Sequence, residues 1–448
     1  MRRILFLLVR VIVLCLIVPS SFPQSADSNN NKAYQDAIQH LNFRSIGPAT
    51  MDGRIDAFAV PRNQPDTIYV ATATGGVWKT TNQGTTWTPI FDEEPVSSIG
   101  AIEVSYSDPS IIWVGTGEAN NRQTSSWGNG VYKSTDAGAT WTNMGLPNSF
   151  QISRIVIDPA NPQIVYVAAL GNLWGSGGER GLYKTEDGGK TWQRVLYVDE
   201  DTGIADVEMD PQSSGTLFAS AYERRRTVFG LNGGGPSSAL YKTTNGGVTW
   251  KKLSKGLPYE HGGNTGRIGV SIYRRDPRIV YARVEHVDGS GVYRSTDGGE
   301  TWEKRSNINP RPSYFAQILV DPNNYLRVWI PGSALSHSDD GGKTFSPEQV
   351  QGLQTIHADF HAVWIDQEDS SYMISGSDGG VYISHDSGEK WDYVNTIPVG
   401  QAYEVATDTD NPYHICGGFQ DNGSWCGPVR TRNPKGDCEW RLVSRHGW

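Results

Sequence analysis

Apolar and polar residues alternate over short stretches of this chain, and turn residues separate the stretches. Residues 153–158 alternate and end at Pro159, and residues 163–168, 181–184 and 192–196 are three further strand-like stretches. Strands of this length, bounded by Gly, Asp and Pro, predict an all-β fold. Four of them fit one unit of roughly 50 residues, which is the size of a propeller blade.

One eight-residue motif, Ser/Thr-x-Asp/Asn-x-Gly-x-Thr-Trp, recurs with small variations seven times. The steps between successive copies are 54, 51, 58, 52, 43 and 46 residues. This period predicts a β-propeller of four-stranded blades, with seven blades favoured and eight as the alternative. The copies end at Trp87, Trp141, Trp192, Trp250, Trp302, Phe345 and Trp391.

The motif is predicted to be a turn. Its Asp or Asn side chain accepts hydrogen bonds from the turn, its Gly supplies a positive φ, and its Trp packs between blades. Two copies carry Asn82 and Asn245, and an amide keeps the acceptor oxygen but loses the charge. A structural role is therefore predicted for the remaining acidic copies, Asp136, Asp187, Asp297, Asp340 and Asp386.

The termini suggest an exported protein. Residues 1–26 resemble a signal peptide because basic residues precede an apolar run at 11–18, which is too short to span a bilayer. An uncleaved anchor is the alternative. We expect a linker at 27–40, the propeller at 41–400, and at 401–448 a partial further blade or the start of a second propeller. The mature protein is then secreted or periplasmic and does not span a membrane.

The formal net charge is −9, and Lys and Arg are scattered, which argues against nucleic acid as a partner. The run at 224–226 is an exception, and we interpret it as a solvated loop. Three cysteines follow the predicted signal peptide. Cys416 and Cys426 flank a Gly/Asn turn, where a disulfide would bridge a hairpin, and Cys438 would then be left over.

The catalytic candidates depart from the repeat. On a strand, His357, Asp359 and His361 would point to one face, where an Asp–His network could transfer protons near neutral pH. Asp378 lies in a Ser-Asp-Gly-Gly turn and is the fourth candidate. The competing interpretation is a polar cluster that only fixes blade geometry. The spacing is poor for a shared metal ion, so we predict no metal and no cofactor.

The ligand-binding candidates are polar residues on inner strands or inter-strand loops, where propellers bind their ligands: Arg54, Asp56, Glu118, Arg122 and Asp421. Trp127 and Trp174 lie in similar long loops. If exposed they would suit stacking on sugar rings, although core packing is the commoner role.

The motif is similar to the Asp-box of bacterial neuraminidase-type repeats, found in sialidases, xyloglucanase-type hydrolases and sortilin receptors. The chain resembles exported bacterial proteins of the glycosyl hydrolase or sortilin N-terminal type over residues 43–48, 115–122, 169–174, 357–364 and 417–425. This resemblance implies binding of an extracellular peptide, protein or glycan on the channel face. The alternative is a glycoside hydrolase with paired carboxylates.

Two departures from those families bear on catalysis. Xyloglucanase-type enzymes carry a catalytic Asp in a Thr-Asp-x-Gly-Gly stretch of the first blade, and here Ala73 holds that place. Sialidases need an arginine triad, for which Arg54 alone is too little. We therefore predict binding rather than catalysis, and a third possibility is a module that needs a further propeller for activity.

Overall fold

The computed structural model describes Ala37 and residues 53–123, 125–347, 356–430 and 440–444. The predicted signal peptide, all of the linker except Ala37, and Cys438 lie outside the described residues. Their assignments stay predictions.

The described chain forms eight antiparallel sheets of four strands, numbered here in chain order. Within each sheet the strands follow one another in sequence, except that in sheet 4 a separate two-stranded hairpin, β15–β16, is inserted between the second and third strands. A 3₁₀ turn occupies Pro258–His261. Sheets 1 to 4 contain β1 (Ile55–Ala59), β2 (Ile68–Thr72), β3 (Val77–Thr80), β4 (Thr88–Pro89), β5 (Ile99–Val104), β6 (Ile112–Thr116), β7 (Val131–Ser134), β8 (Thr142–Asn143), β9 (Ile152–Ile157), β10 (Val165–Ala169), β11 (Gly181–Thr185), β12 (Gln193–Leu196), β13 (Thr202–Met209), β14 (Leu217–Glu223), β15 (Arg225–Thr227), β16 (Gly230–Asn232), β17 (Ala239–Thr243) and β18 (Lys251–Leu253).

Sheets 5 to 8 continue the same pattern of short, turn-bounded strands. They contain β19 (Thr265–Ile272), β20 (Val280–His286), β21 (Gly291–Ser295), β22 (Glu303–Ser306), β23 (Leu319–Val320), β24 (Val328–Ile330), β25 (Ser336–Ser338), β26 (Ser346–Pro347), β27 (Phe360–Ile365), β28 (Met373–Ser377), β29 (Gly380–Ser384), β30 (Asp392–Val394), β31 (Ala402–Thr407), β32 (His414–Phe419), β33 (Ser424–Pro428) and β34 (Arg441–Ser444).

The hydrophobic core lies between sheets. Each successive pair among sheets 1 to 7 shares a cluster of buried side chains. Sheets 1 and 7 share one as well, in which Ile55 and Ile68 pack with Ile374 and Val381. The first strands of these seven sheets line a common channel cavity of about 370 Å³. The all-β propeller predicted from the repeat is confirmed, while the blade number stays a prediction.

The repeated motif forms the turn before the outer strand, as predicted. Asp297 Oδ1 accepts hydrogen bonds from Ser295 Oγ at 2.8 Å and from the Thr301 amide at 2.9 Å. Asn82 accepts the equivalent amide bond from Thr86 at 2.9 Å, so the amide serves where the carboxylate is missing. Every acidic copy has a corresponding bond to the turn backbone, and this supports the structural interpretation.

Sheet 8 differs from the other seven. All six residues of β31 are exposed, whereas the first strands of the other sheets are largely buried. A disulfide joins Cys416 on β32 to Cys426 on β33. The turn between these strands bonds to sheet 7, because Asn422 Nδ2 donates to the Asp378 carbonyl at 3.0 Å.

Candidate functional site

Arg54 is the centre of a buried ionic network at the start of β1. Its Nε and Nη2 donate to the two carboxylate oxygens of Asp378 at 2.7 and 2.9 Å, and its Nη1 donates to Glu118 at 3.2 Å. Arg54, Glu118 and Asp378 are 5%, 1% and 3% exposed. Burial alone would raise the pKa of Asp378, but the hydrogen bond from His361 and the guanidinium of Arg54 outweigh it and hold this pKa well below its usual range.

Local turn geometry places the two carboxylates. Asp378 and Gly379 form the tight turn between β28 and β29, and the Asp378 amide donates to the Asp359 carbonyl at 3.1 Å. Glu118 follows Gly117, whose φ is +90° and where a Cβ would lie 1.9 Å from the Phe150 carbonyl oxygen. Only glycine fits there, so the chain turns inward and buries Glu118. Burial raises the pKa of Glu118 to about 7.

His361 lies on the other side of Asp378. Its Nε2 is 2.7 Å from Asp378 Oδ1, and its Nδ1 is 3.3 Å from Asn120 Nδ2. Burial lowers the pKa of His361 despite the adjacent Asp378, which favours a neutral ring. A neutral ring that donates from Nε2 and accepts at Nδ1 satisfies both contacts.

Asp56 completes the network from a bulge in β1. Its Oδ1 accepts from Asn120 Nδ2 at 3.3 Å, while its buried Oδ2 has no hydrogen-bond partner among the described residues. Burial and the nearby Glu118 raise its pKa well above the usual range. Arg122 is farther out, 4.0 Å from Glu118.

The segment 118–122, called the plug below, crosses the end of the channel where the inner strands begin. Asn120 contacts Asp56 of sheet 1 and His361 of sheet 7, and it accepts from Arg267 of sheet 5 at 3.3 Å. Asn121 donates to the Tyr222 hydroxyl of sheet 4 at 2.8 Å. The plug therefore joins four sheets to the sheet 2 loop from which it comes.

His357 and Asp359 are not on the strand, and the prediction that they share one strand face with His361 is wrong. β27 begins at Phe360, and Asp359 precedes it with a φ of +64°, which breaks the alternation. His357 bonds to backbone oxygens of Ala358 and Asp421 at 2.9 and 2.8 Å. Asp359 pairs with Arg311 at 3.4 Å, so only His361 enters the network.

Asp421 reaches the network from sheet 8. It is exposed, with a φ of +59°, and its carboxyl group lies near that of Asp378. Partial burial, followed by the charge of Asp378, raises the pKa of Asp421.

Sequence reasoning missed two arginines, and its interpretation of residues 224–226 as a solvated loop is wrong for the first of them. Arg224 is fully buried and donates to Asn121 Oδ1 at 2.7 Å and to the Gln151 side chain. Arg267 is 7% exposed and donates to the Tyr314 carbonyl at 3.0 Å. The repeat carried no clear signal for Arg267, because the residues at the corresponding first-strand bulges vary in type and include Asp56, Ser153 and His361.

Three loops around Arg224 form one surface, called the loop face below. They join the second and third strands of sheets 2, 3 and 4 and span residues 117–130, 170–180 and 224–238. Arg224 touches the first two, and the Arg226 amide donates to the Leu173 carbonyl at 2.8 Å. Trp127 of the first loop, Trp174 of the second and Phe229 of the third are 51%, 39% and 96% exposed.

One group of potential metal ligands lies elsewhere. Among the described residues, Asp408, Asp410 and His414 on sheet 8 bring ligand atoms within 4.8 Å of one another. His414 Nδ1 already bonds to Asp408 at 2.7 Å, and the group is largely exposed.

Family comparisons agree with this architecture. The family model described as "Sortilin, neurotensin receptor 3" matches residues 129–282, and the BNR/Asp-box repeat model matches residues 293–304. An ancestral GH74 enzyme superimposes with a TM-score of 0.60 at 18% identity, covering 86% of this chain and 54% of that chain. The chain has a β-propeller fold and carries Asp-box repeats. The GH74 enzyme of Niastella koreensis shares the fold, with a TM-score of 0.50 at 18% identity, covering 91% and 68%.

The curated relatives of this propeller are distant and longer. A xyloglucanase of Paenibacillus sp is 25% identical over 68% of this chain and 32% of its own length. An oligoxyloglucan-reducing end-specific xyloglucanase of Emericella nidulans is 24% identical over 85% of this chain and 52% of its own length. The propeller therefore spans between about a third and a half of these relatives. In its described residues, no helix has the length and apolar character needed to cross a membrane.

Proposed function

We propose that this propeller is an exported binding protein whose loop face holds an extracellular ligand, with a glycan chain as the favoured class. The observation that carries the proposal is a contrast in solvent exposure between the ionic network and the aromatic residues of the loop face. The carboxylates Glu118 and Asp378 are 1% and 3% exposed and are bonded to Arg54. The aromatic side chains of the loop face are exposed.

The ionic network is a poor catalytic pair. Glycoside hydrolysis needs two carboxyl groups roughly 5–9.5 Å apart with a sugar or water between them. Here the guanidinium of Arg54 occupies the space between Glu118 and Asp378 and bonds to both.

The loop face suits a chain-like ligand. Trp127 and Trp174 present rings from adjacent loops, and such rings stack on sugar faces. Arg224 bonds to the first two loops of the loop face and so restrains them. Restrained loops lose little conformational entropy when a ligand binds to their rings. The matches to xyloglucanases favour a glycan, and the sortilin match keeps a peptide as the competing ligand.

A glycan array probed with the purified chain tests the proposal, with a peptide library run in parallel. We expect glycan binding that weakens about five- to thirtyfold when Trp174 is replaced by Ala, since stacking on one ring contributes on the order of 1–2 kcal/mol. The matched control is Tyr197→Ala, because Tyr197 is 45% exposed but lies beside the outer strand β12. Equal losses in the two variants, or binding of peptides alone, would reject the glycan proposal.

The second candidate function is glycoside hydrolysis. It is favoured by the xyloglucanase matches and by the nearby carboxyl groups of Asp378 and Asp421, because the pKa of Asp378 is lowered and that of Asp421 is raised. Release of reducing sugars from a polysaccharide, lost in Asp421→Asn with the fold intact, would establish this function. The change is mild because Asp421 is exposed.

A further inference from the structure

The channel cavity carries a second set of charged residues that the ionic network does not use. Glu103 on β5, Arg154 on β9, and Asp206 and Glu208 on β13 all line it. Arg154 lies 3.7 Å from Asp206 and 3.3 Å from Glu208, and its side chain is 45% exposed. These groups face the cavity rather than a packed core.

Negative charge exceeds positive charge in this part of the cavity. Three carboxyl groups lie around the guanidinium of Arg154, and Arg267 acts in addition on Asp206. Two other arginines line the cavity. Arg267 donates to Asn120 and to the Tyr314 carbonyl at the plug, and Arg274 pairs with Glu368 at 3.3 Å. Neither neutralises Glu103.

A second observation points to an absent partner in the same cavity. Asp56 lines it, is 6% exposed, and has an Oδ2 without a hydrogen-bond partner among the described residues. A buried polar atom left unpaired destabilises a fold by roughly 1–3 kcal/mol, so such an atom suggests an absent partner.

We propose that the channel cavity binds a primary ammonium group, the end of a lysine side chain on a peptide, which pairs with Glu103, Asp206 and Glu208. The plug closes the channel end where the inner strands begin. The ligand therefore enters from the other end, where Pro211, Arg274 and Gln367 line the cavity.

The cavity has room and apolar walls for an alkyl stem beside its charged groups. Its volume is about 370 Å³, and small apolar residues such as Ala57, Ala205 and Ala362 line it beside the charges. An unbranched alkyl stem packs against such walls while its charged end reaches carboxylates, as lysine stems do elsewhere.

Titration of the cavity supports the proposal and makes it testable. Burial raises the pKa of both Glu103 and Glu208 to about 7. The charged groups facing Glu103 are Arg154 and Glu208, and those facing Glu208 are Arg154 and Asp206. Carboxylates ionise as pH rises through 7, so affinity for a cation increases from pH 6 to pH 8.

Calorimetric titration of the full chain with Nα-acetyl-lysine methylamide tests this. We expect binding at pH 8 that is about tenfold weaker at pH 6, from the ionised fractions of groups with pKa near 7. The Nε-acetylated probe should not bind, because its amide has no charge. Equal affinity for the two probes, no binding at pH 8, or stronger binding of glucosamine would overturn the proposal.

Variants locate the site and separate it from the loop face. Glu103→Gln combined with Glu208→Gln should abolish lysine binding, while the exposed Glu389→Gln should leave it unchanged. Trp174→Ala should also leave lysine binding unchanged. A failure of the lysine site in the channel can therefore be distinguished from a failure of the glycan site on the loop face. If the double variant does not fold, the pH dependence and the acetylated probe decide with the natural chain alone.

Discussion

Arg54 and Asp378 are 324 positions apart in sequence and form a two-pronged ion pair at 2.7 and 2.9 Å. Arg54 precedes β1 of sheet 1, and Asp378 follows β28 of sheet 7. The pair therefore crosses the seam where the last sheet of the ring meets the first. Its guanidinium also bonds to Glu118 of sheet 2, so one side chain joins three sheets.

Replacing Arg54 with Met should destabilise the fold strongly. The change leaves the Asp378 and Glu118 carboxyl groups buried without their cation, and loss of one partner of a buried pair costs about 3–5 kcal/mol. Urea unfolding followed by tryptophan fluorescence measures the loss. Arg62→Met is the control, since its pair with Glu368 is 41% and 62% exposed and contributes about 1 kcal/mol or less. Similar losses in both variants would mean that the seam is not held by this pair.

Stability should fall as pH rises through neutrality. Burial raises the pKa of Glu118 from 4.5 to about 7 in the folded chain, so the folded state binds a proton more tightly than the unfolded state. That stabilisation is fully present below about pH 4.5 and is lost as pH rises through 7. Glu103 and Glu208 act in the same direction over the same range.

The Glu118→Gln variant isolates this contribution. It should flatten the profile between pH 5 and pH 8 by up to about 3 kcal/mol, given 1.4 kcal/mol per pKa unit. Unfolding free energies at the two pH values, compared with the exposed Glu93→Gln, measure the effect. An unchanged slope in Glu118→Gln would show that Glu118 is already ionised at pH 5.

The turns formed by the repeated motif should tolerate replacement of Asp by Asn but not by Ala. In Asp297→Asn the acceptor oxygen for Thr301 remains, whereas Asp297→Ala loses the bonds to Ser295 and Thr301. We expect a loss of about 1–2 kcal/mol for Ala and a smaller loss for Asn. Thermal unfolding of the two variants makes the comparison, and a larger loss for Asn than for Ala would contradict the hydrogen-bond explanation.

Loss of Arg224 should loosen the loop face. Arg224→Leu removes its bonds to Asn121 and to Gly171, so the first two loops lose their common partner. Hydrogen exchange should become faster in residues 117–130 and 170–180 and stay unchanged in sheet 6. The neighbouring Arg225→Leu is the control, because Arg225 is 38% exposed and, within the part of the chain that the structure describes, forms an ion pair only with Asp201 at 3.7 Å. Equal acceleration of hydrogen exchange in both variants would show that Arg224 does not hold these loops together.

Local rules predicted the repeat but not the network. The turn at Asp297 depends on residues within four positions of it, so its motif was sufficient. The positive φ of Asp359 and the bulges at Asp56 and His361 break the alternation of the strands. The pattern of apolar and polar residues does not reveal such breaks. The prediction of His357 as a partner of His361 failed for this reason.

Ring closure also explains what the sequence missed. Arg54 was a ligand-binding candidate in the sequence analysis. Its ion pair with Asp378 could not be predicted there, because the pair depends on the contact between sheets 1 and 7. Arg224 was misread because a run of three arginines usually lies in solvent, whereas β14 buries the first of them. Trp127 and Trp174 are exposed, which sequence reasoning considered the rarer outcome.

Titration of the best glycan from the array into a triple variant, Trp127→Ala with Trp174→Ala and Phe229→Ser, tests the binding proposal most directly. We expect the natural chain and Tyr197→Ala to bind alike and the triple variant to lose binding, with its melting temperature unchanged because all three rings are exposed. Natural affinity in the triple variant, or turnover of the glycan that Asp421→Asn abolishes, would contradict a binding function for the loop face.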